Sequence, residues 1–226
     1  MEGSLPVPGP FSADPGSPGR VLRGHHGGSL RIADRVTKVA YVIDPGTGCP
    51  VVPLAADGAE APTDEEASSL VLMIPDEDEA SLQLLCSAAD LDARTHESPD
   101  RHMIYHGPSR ERRWALLRVE AARMENKVFD PLLIVAPNPL RVAEARLCKR
   151  FNAMAESVKD LARRVIFKGT DVGVMVGVDP LGIDVRTRFG PGRAWFAHPA
   201  MDAAAAEAAI EFLLGVSGLG AGEPRE

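Results

Sequence analysis

Two of the six histidines, His102 and His106, stand four residues apart. On a helix that spacing would set both rings on one face, where they could hold a metal ion. The run Arg101-His102-Met103-Ile104-Tyr105-His106 reads instead as a β-strand after a polar stretch. At ~3.3 Å per residue the two backbones would then stand about 13 Å apart, too far to share an ion. The sequence therefore predicts no joint metal site. It leaves each histidine a single role, such as an axial ligand or a contact to a ligand carbonyl. His25 and His26 lie in a Gly/Pro/Ser-rich N-terminal stretch and read as incidental.

Other chemistries find less support, and no catalytic residue can be named. The carboxylate runs Asp64-Glu65-Glu66 and Asp76-Glu77-Asp78-Glu79 lack the alternating ligand spacing of a calcium loop and read as solvated turns. Gly169, Gly173 and Gly177 fit neither a P-loop nor a dinucleotide fingerprint, and no Gly-x-Ser-x-Gly elbow occurs. Cys49, Cys86 and Cys148 are odd in number and far apart, which favours reduced, mostly buried thiols in a cytoplasm over disulfides or zinc. Cys148 has basic neighbours that would lower its pKa but no evident histidine base, so packing is its better explanation.

The elements that must position these residues change character near Pro137. Residues 1–28 are dominated by Gly, Pro and Ser and are expected to be a disordered tail. Short β-branched or apolar runs follow at 37–43, 49–54, 69–74, 81–86, 101–106, 114–120 and 132–135, separated by turn residues. Pro50 and Pro53 suggest an edge position or a bulge for the second of these. Six or seven such strands predict a small barrel over residues 29–137. Asn138 and Pro139 mark a helix start, and Leu140, Ala143, Leu147 and Phe151 give that helix one apolar face. It reads as a hinge helix docking the two halves of the chain. A second helix continues to about Arg164, and then come a three-stranded meander and a helix capped by Asp202. The expected fold class is α+β: a split β-barrel followed by a small α-βββ-α domain at 138–216, with a frayed tail at 217–226.

Length and composition suit a soluble globular chain, at 226 residues with 45% hydrophobic and 25% charged side chains. No apolar run is long enough to span a bilayer, and the N-terminus lacks the pattern of a secretory signal. Aromatics make up only 5%, which with overall acidity argues against nucleic-acid binding. The net charge of −7 is unevenly spread, being −11 over residues 1–100, +8 over 101–168 and −4 over the remainder. A basic middle inside an acidic chain fits an anionic ligand, an acidic protein partner or a solvated helix face.

Some stretches resemble a known family. The order strand 82–86, polar segment to Arg94, then Ser98-Pro99-Asp100-Arg101 is similar to the phosphate side of the FMN-binding split barrels related to pyridoxamine 5'-phosphate oxidase. The segments Ala145-Arg146-Leu147-Cys148-Lys149-Arg150-Phe151-Asn152 and Gly177-Val178-Asp179-Pro180-Leu181-Gly182-Ile183-Asp184-Val185 resemble the α/β domain of haem-utilisation and glutamyl-tRNA reductase-binding proteins, with Phe196, Pro199 and Asp202 in the same pattern. The resemblance implies a homodimeric oxidoreductase holding FMN or haem. Ser87, Arg94 and Arg101 would be the phosphate-side survivors, and His96, His102 or His106 could face haem iron. Two departures stand out. Asn152-Ala153 is followed by Met154-Ala155 where family members carry Asp-His, and Ser68-Ser69-Leu70-Val71 lacks the arginine of the oxidases. These departures motivate an alternative, a cofactor-free interaction module whose basic face is Arg146, Lys149 and Arg150.

Overall fold

A computed structural model describes residues 9–54, 70–109 and 113–216. In it the strand signals of the first half assemble into a single antiparallel sheet. The strands are β1 (Gly27–Ile32), β2 (Arg35–Ala40), β3 (Val42–Ile43), β4 (Pro50–Leu54), β5 (Leu70–Ile74), β6 (Leu82–Leu91), β7 (Arg113–Met124) and β8 (Lys127–Phe129). Their order is β2-β1-β5-β6-β7-β4-β3, with β8 beside β7. The sheet curls until β2 and β4 approach each other without forming a ladder, which makes it a half-barrel. Leu82, Leu84 and Cys86 enter the core from β6 while Gln83 and Leu85 do not, as the two-residue strand period requires. Tyr41, Leu72, Leu84, Leu117 and Ile134 are fully buried in that core. The expected proline strand β4 is an edge only in part, because β3 covers it at Pro50 and Val51 alone while β7 flanks its other side.

Three expectations for this half need correction. Residues 101–106 are not a strand but most of helix α2 (Ser98–His106). Pro99 sits in its first turn, Asp100 favours that end of the dipole, and Gly107 closes it at φ 89°. Residues 132–135 form no strand either. Pro131 has no N–H to donate, and Asp130 accepts from the Leu132 N–H at 2.9 Å, so a 3-10 turn forms at Pro131–Leu133. The N-terminal stretch is ordered from residue 9 onward, with helix α1 at Pro18–Gly24, where Pro18 opens the helix. Leu22 is fully buried, and the Arg23 guanidinium donates to the carbonyls of Pro10, Gly19 and Ile134. One apolar anchor and one three-carbonyl clamp thus offset the flexible composition. Residues 1–8 and the acidic run at 64–66 lie outside the described residues.

The chain divides into two compact units, Met1–Asn138 and Pro139–Glu226. The second contains helices α3 (Arg141–Asn152) and α4 (Ala155–Leu161), a π-helical turn at Ala162–Ile166, strands β9 (Val174–Asp179), β10 (Gly182–Thr187) and β11 (Gly190–Trp195), and helix α5 (Ala203–Leu214). The sheet order is β11-β10-β9. Helix α3 begins later than expected: Leu140 holds the N-cap position, and Asn138 stands two residues before it. Its apolar residues Leu140, Leu147 and Phe151 belong to the core of this second unit. Asp202 does cap α5, accepting from the Ala205 N–H at 2.9 Å.

A sheet edge leaves backbone groups unpaired, and α3 supplies partners for β9. Asn152 donates from Nδ2 to the Met175 carbonyl and accepts at Oδ1 from the Met175 N–H, both at 2.8 Å. Two turns earlier, Glu144 accepts from the Val178 N–H at 3.0 Å. Asn152→Ala would orphan both Met175 groups, and we expect a loss of roughly 1–2 kcal/mol in urea denaturation. Asn152→Gln, whose longer side chain misplaces the amide, should recover little of it.

Candidate functional site

The first unit brings its reactive side chains together on α2. Ser98 and His102 fall on the buried face of that helix with Tyr105, while Met103 and Ile104 point outward. The helix is anchored at its start by Asp44, a buried carboxylate in the turn after β3. Asp44 accepts from the Thr47 N–H and hydroxyl at 2.8 Å each and from the Ser98 hydroxyl at 2.8 Å. The turn needs Gly48 at φ +79°, where a Cβ would lie 2.3 Å from the Ala136 carbonyl oxygen. The Ser98 hydroxyl is fully buried and donates to a carboxylate, so it is a tether and not a nucleophile.

His102 and His106 project from the same face, with ring centroids 4.5 Å apart and planes tilted by 38°. The strand-based separation is overturned by the helix. His102 Nε2 lies 3.3 Å from the Ala40 carbonyl oxygen and His106 Nε2 lies 3.0 Å from that of Tyr41. A carbonyl only accepts, so each Nε2 carries the hydrogen and each Nδ1 carries the lone pair. Burial, and then the neighbouring His106, pulls the His102 pKa down to about 4 against a small opposing effect from the Ala40 hydrogen bond. Burial likewise lowers that of His106. Both rings are neutral at pH 7. The edge of His102 meets Trp114 at 5.0 Å, and His26 packs on Tyr105 at 5.7 Å.

The remaining candidates divide. His96 accepts from the Ser98 N–H at Nδ1, and its Nε2 lies 3.7 Å from Asp44 Oδ1, so both nitrogens are engaged beside α2. Arg101 donates to the Tyr105 hydroxyl at 2.9 Å and lies over its ring. Arg94, in the loop after β6, engages Asp92 through Nε and Nη2, both at 3.1 Å. Ser87 stands mid-strand in β6 opposite Arg118. Sequence reasoning missed His26, Tyr41, Asp44 and Trp114. The signal available was the Ser-Pro-Asp helix start at 98–100 with Gly107 as its stop, which would have folded the histidines onto one face.

Other candidates resolve into structure. Among the described residues no group of three or more His, Cys, Asp or Glu side chains is placed to hold a metal. Asp76 accepts from the Ser29 hydroxyl and from Lys38, which lowers its pKa to about 2, with Lys38 the largest cause. Cys49 and Cys86 are buried free thiols and Cys148 is half-buried. Burial pushes the Cys86 thiol pKa far up, so it is inert. In the second unit, Arg150 pairs with Glu207 and Glu211 of α5, and Arg146 lies 3.6 Å from Glu207. Two of the cations on the basic face of α3 thus have carboxylate partners within the unit.

No family model and no curated protein matches the chain. Among solved structures it is similar to Atu2129, a protein of unknown function from Agrobacterium tumefaciens str. C58. That alignment has a TM-score of 0.63 and 20% identity, over 86% of this chain and 92% of the other. This likeness shows a shared fold. A haem-binding protein from Mycobacterium smegmatis aligns over 94% of this chain and 98% of its own at 16% identity, with a TM-score of 0.37. That score is too low to establish a common fold. No described helix is long and apolar enough to cross a membrane.

Proposed function

We propose that this protein binds haem on the α2 side of its half-barrel, with His106 as the residue offered to the iron. The observation that carries this reading is the state of His106. Its ring is half-buried and neutral, and with Nε2–H held by the Tyr41 carbonyl it keeps a lone pair at Nδ1. A neutral imidazole with a free lone pair is what haem iron requires. His102 is only 3% exposed and too enclosed to meet a porphyrin directly, and His96 has both nitrogens engaged. The sequence resemblance to haem-utilisation proteins supports the same reading. Bound haem would supply a redox-active iron, while the chain's own part is to hold His106 neutral and oriented. Arg101, five residues before His106 on the same helix, offers a cation for a propionate.

FMN is the weaker reading. Arg94 spends its guanidinium on Asp92, and β5 carries no arginine. For the interaction-module alternative, two of the three cations of its basic face, Arg146 and Arg150, lie beside Glu207 or Glu211 of the same unit. Titration with haemin should give a saturable Soret band at one equivalent, weakened and shifted in His106→Ala and unchanged in His96→Ala. A Soret response that ignores His106→Ala would move the iron elsewhere. A protein that binds neither haemin nor FMN at high concentration would remove the proposal.

A further inference from the structure

We propose that His102 and His106 together form a chelating site for a divalent transition ion of the imidazole-preferring group: Co2+, Ni2+, Cu2+ or Zn2+. Three observations converge on it, of which the His106 hydrogen bond to the Tyr41 carbonyl is shared with the haem reading and the other two are independent of it. The two histidines sit at i and i+4 on α2, with ring centroids 4.5 Å apart. Each ring donates its outer nitrogen, Nε2, to a backbone carbonyl, and the two carbonyls belong to the consecutive residues Ala40 and Tyr41. Metal-binding histidines use this outer-shell bond to fix tautomer and orientation, leaving the other nitrogen for the ion. Here that nitrogen is Nδ1 in both rings. Finally, Nδ1 of His102 is buried with no hydrogen-bond partner. Buried acceptors are rarely left so, and a bound ion is among the standard ways of satisfying them.

The electrostatics agree. Burial lowers the pKa of both rings, joined at His102 by the neighbouring His106, and so favours the neutral form a metal needs. Among the described residues no third His, Cys, Asp or Glu completes the set, so water or an exogenous ligand must fill the remaining coordination positions. Entry is from the side of His106, since His102 is enclosed by Trp114 and the helix. Imidazole nitrogen favours the later first-row ions over Mg2+ or Ca2+.

The test uses the untagged full-length chain. Titration with Co2+, followed by its visible absorption, should saturate at one equivalent, and Mg2+ should not compete. His102→Gln and His106→Gln should each weaken Co2+ binding by about tenfold or more, because even outer-shell losses cost about 10–100-fold. His96→Ala and the double variant His25→Ala/His26→Ala should bind as the parent does. Co2+ should also raise the thermal midpoint of the parent and not that of His106→Gln, which separates lost ligation from lost folding. Unchanged binding in both glutamine variants, or loss of binding in His25→Ala/His26→Ala, would overturn the proposal. So would the absence of any saturable site. Haemin titration of His102→Gln distinguishes the two readings: Co2+ lost with haemin retained supports both, whereas Co2+ bound by a parent that ignores haemin supports only this one.

Discussion

Arg193→Ala should destabilise the second unit by roughly 3–5 kcal/mol, as expected when a partner is removed from a buried ion network. The Arg193 side chain is 2% exposed. Its Nη1 donates to Asp184 Oδ1 at 2.9 Å, its Nη2 to Asp179, and its guanidinium lies 4.6 Å from the Trp195 ring centroid. Burial by itself would lower the arginine pKa, but the two carboxylates overcome that and hold it above its usual value. Removing the cation leaves two carboxylates with 17% and 10% exposed side chains facing each other across β9 and β10. Arg193→Lys should recover only part of the loss, since an ammonium cannot present the planar fork that reaches both acids. Arg193→Met combined with Asp184→Leu should recover more than Arg193→Ala alone, because replacing a buried ion pair by apolar groups is often neutral. Urea unfolding followed by fluorescence of a Trp114→Phe background, where Trp195 is the sole reporter, reads this unit directly. A loss below 1 kcal/mol would mean that solvent reaches the carboxylates.

The same network marks what could be read along the chain and what could not. Asp179-Pro180-Leu181-Gly182 was legible as a turn because its signal is local: Asp179 accepts from the Leu181 N–H at 2.8 Å, and β9 and β10 pair around it. The reason for the two aspartates was not legible. Their partner lies nine and fourteen residues further on and meets them only through the β10–β11 register, where Asp184 stands opposite Arg193. A similar limit explains α2. Ile104 and Tyr105 favour strands by type, but Ile104 is exposed, and the burial that decides the element falls on Ser98, His102 and Tyr105 at helical spacing. Polar residues on the buried face leave no apolar periodicity to detect. The N-terminal helix was missed for the opposite reason, since its stability comes from Arg23 reaching the distant Ile134 carbonyl and from the Tyr41 hydroxyl donating to the Leu22 carbonyl. The β3–β4 and β5–β6 neighbours, by contrast, were visible in the sequence as successive strands around local turns, whereas β1 and β8 were not among the expected strands and the β1–β5 and β4–β7 ladders join segments far apart in the chain.

Acid should weaken the first unit in a pH window set by the histidine pair. Burial holds His102 at about 4 in the folded chain against 6.5 when unfolded, and His106 is lowered in the same direction. Above pH 6.5 both rings are neutral in either state, and the stability they permit is fully present. As pH falls below 6.5 the unfolded chain takes up protons first, so stability drops until about pH 4, where the folded protein protonates too. The loss across that window should be roughly 2–3 kcal/mol, after allowing for partial solvent access to the helix. Urea midpoints measured between pH 7.5 and about 4 should show it. Carboxylates do not imitate the effect there: Asp76, lowered from 3.8 to about 2, loses its contribution only as pH falls through that more acidic range. The double variant His102→Gln/His106→Gln removes both titrating rings while Gln can still donate to the Ala40 and Tyr41 carbonyls, so its profile should be nearly flat over the same window. A parent whose midpoint does not move between pH 6.5 and 4 would show that the rings are solvated, and the neutral lone pairs on which both ligand proposals depend would go with them. If the drop is present, saturating Co2+ should deepen it, since the ion stabilises only the neutral pair and is displaced as protons bind.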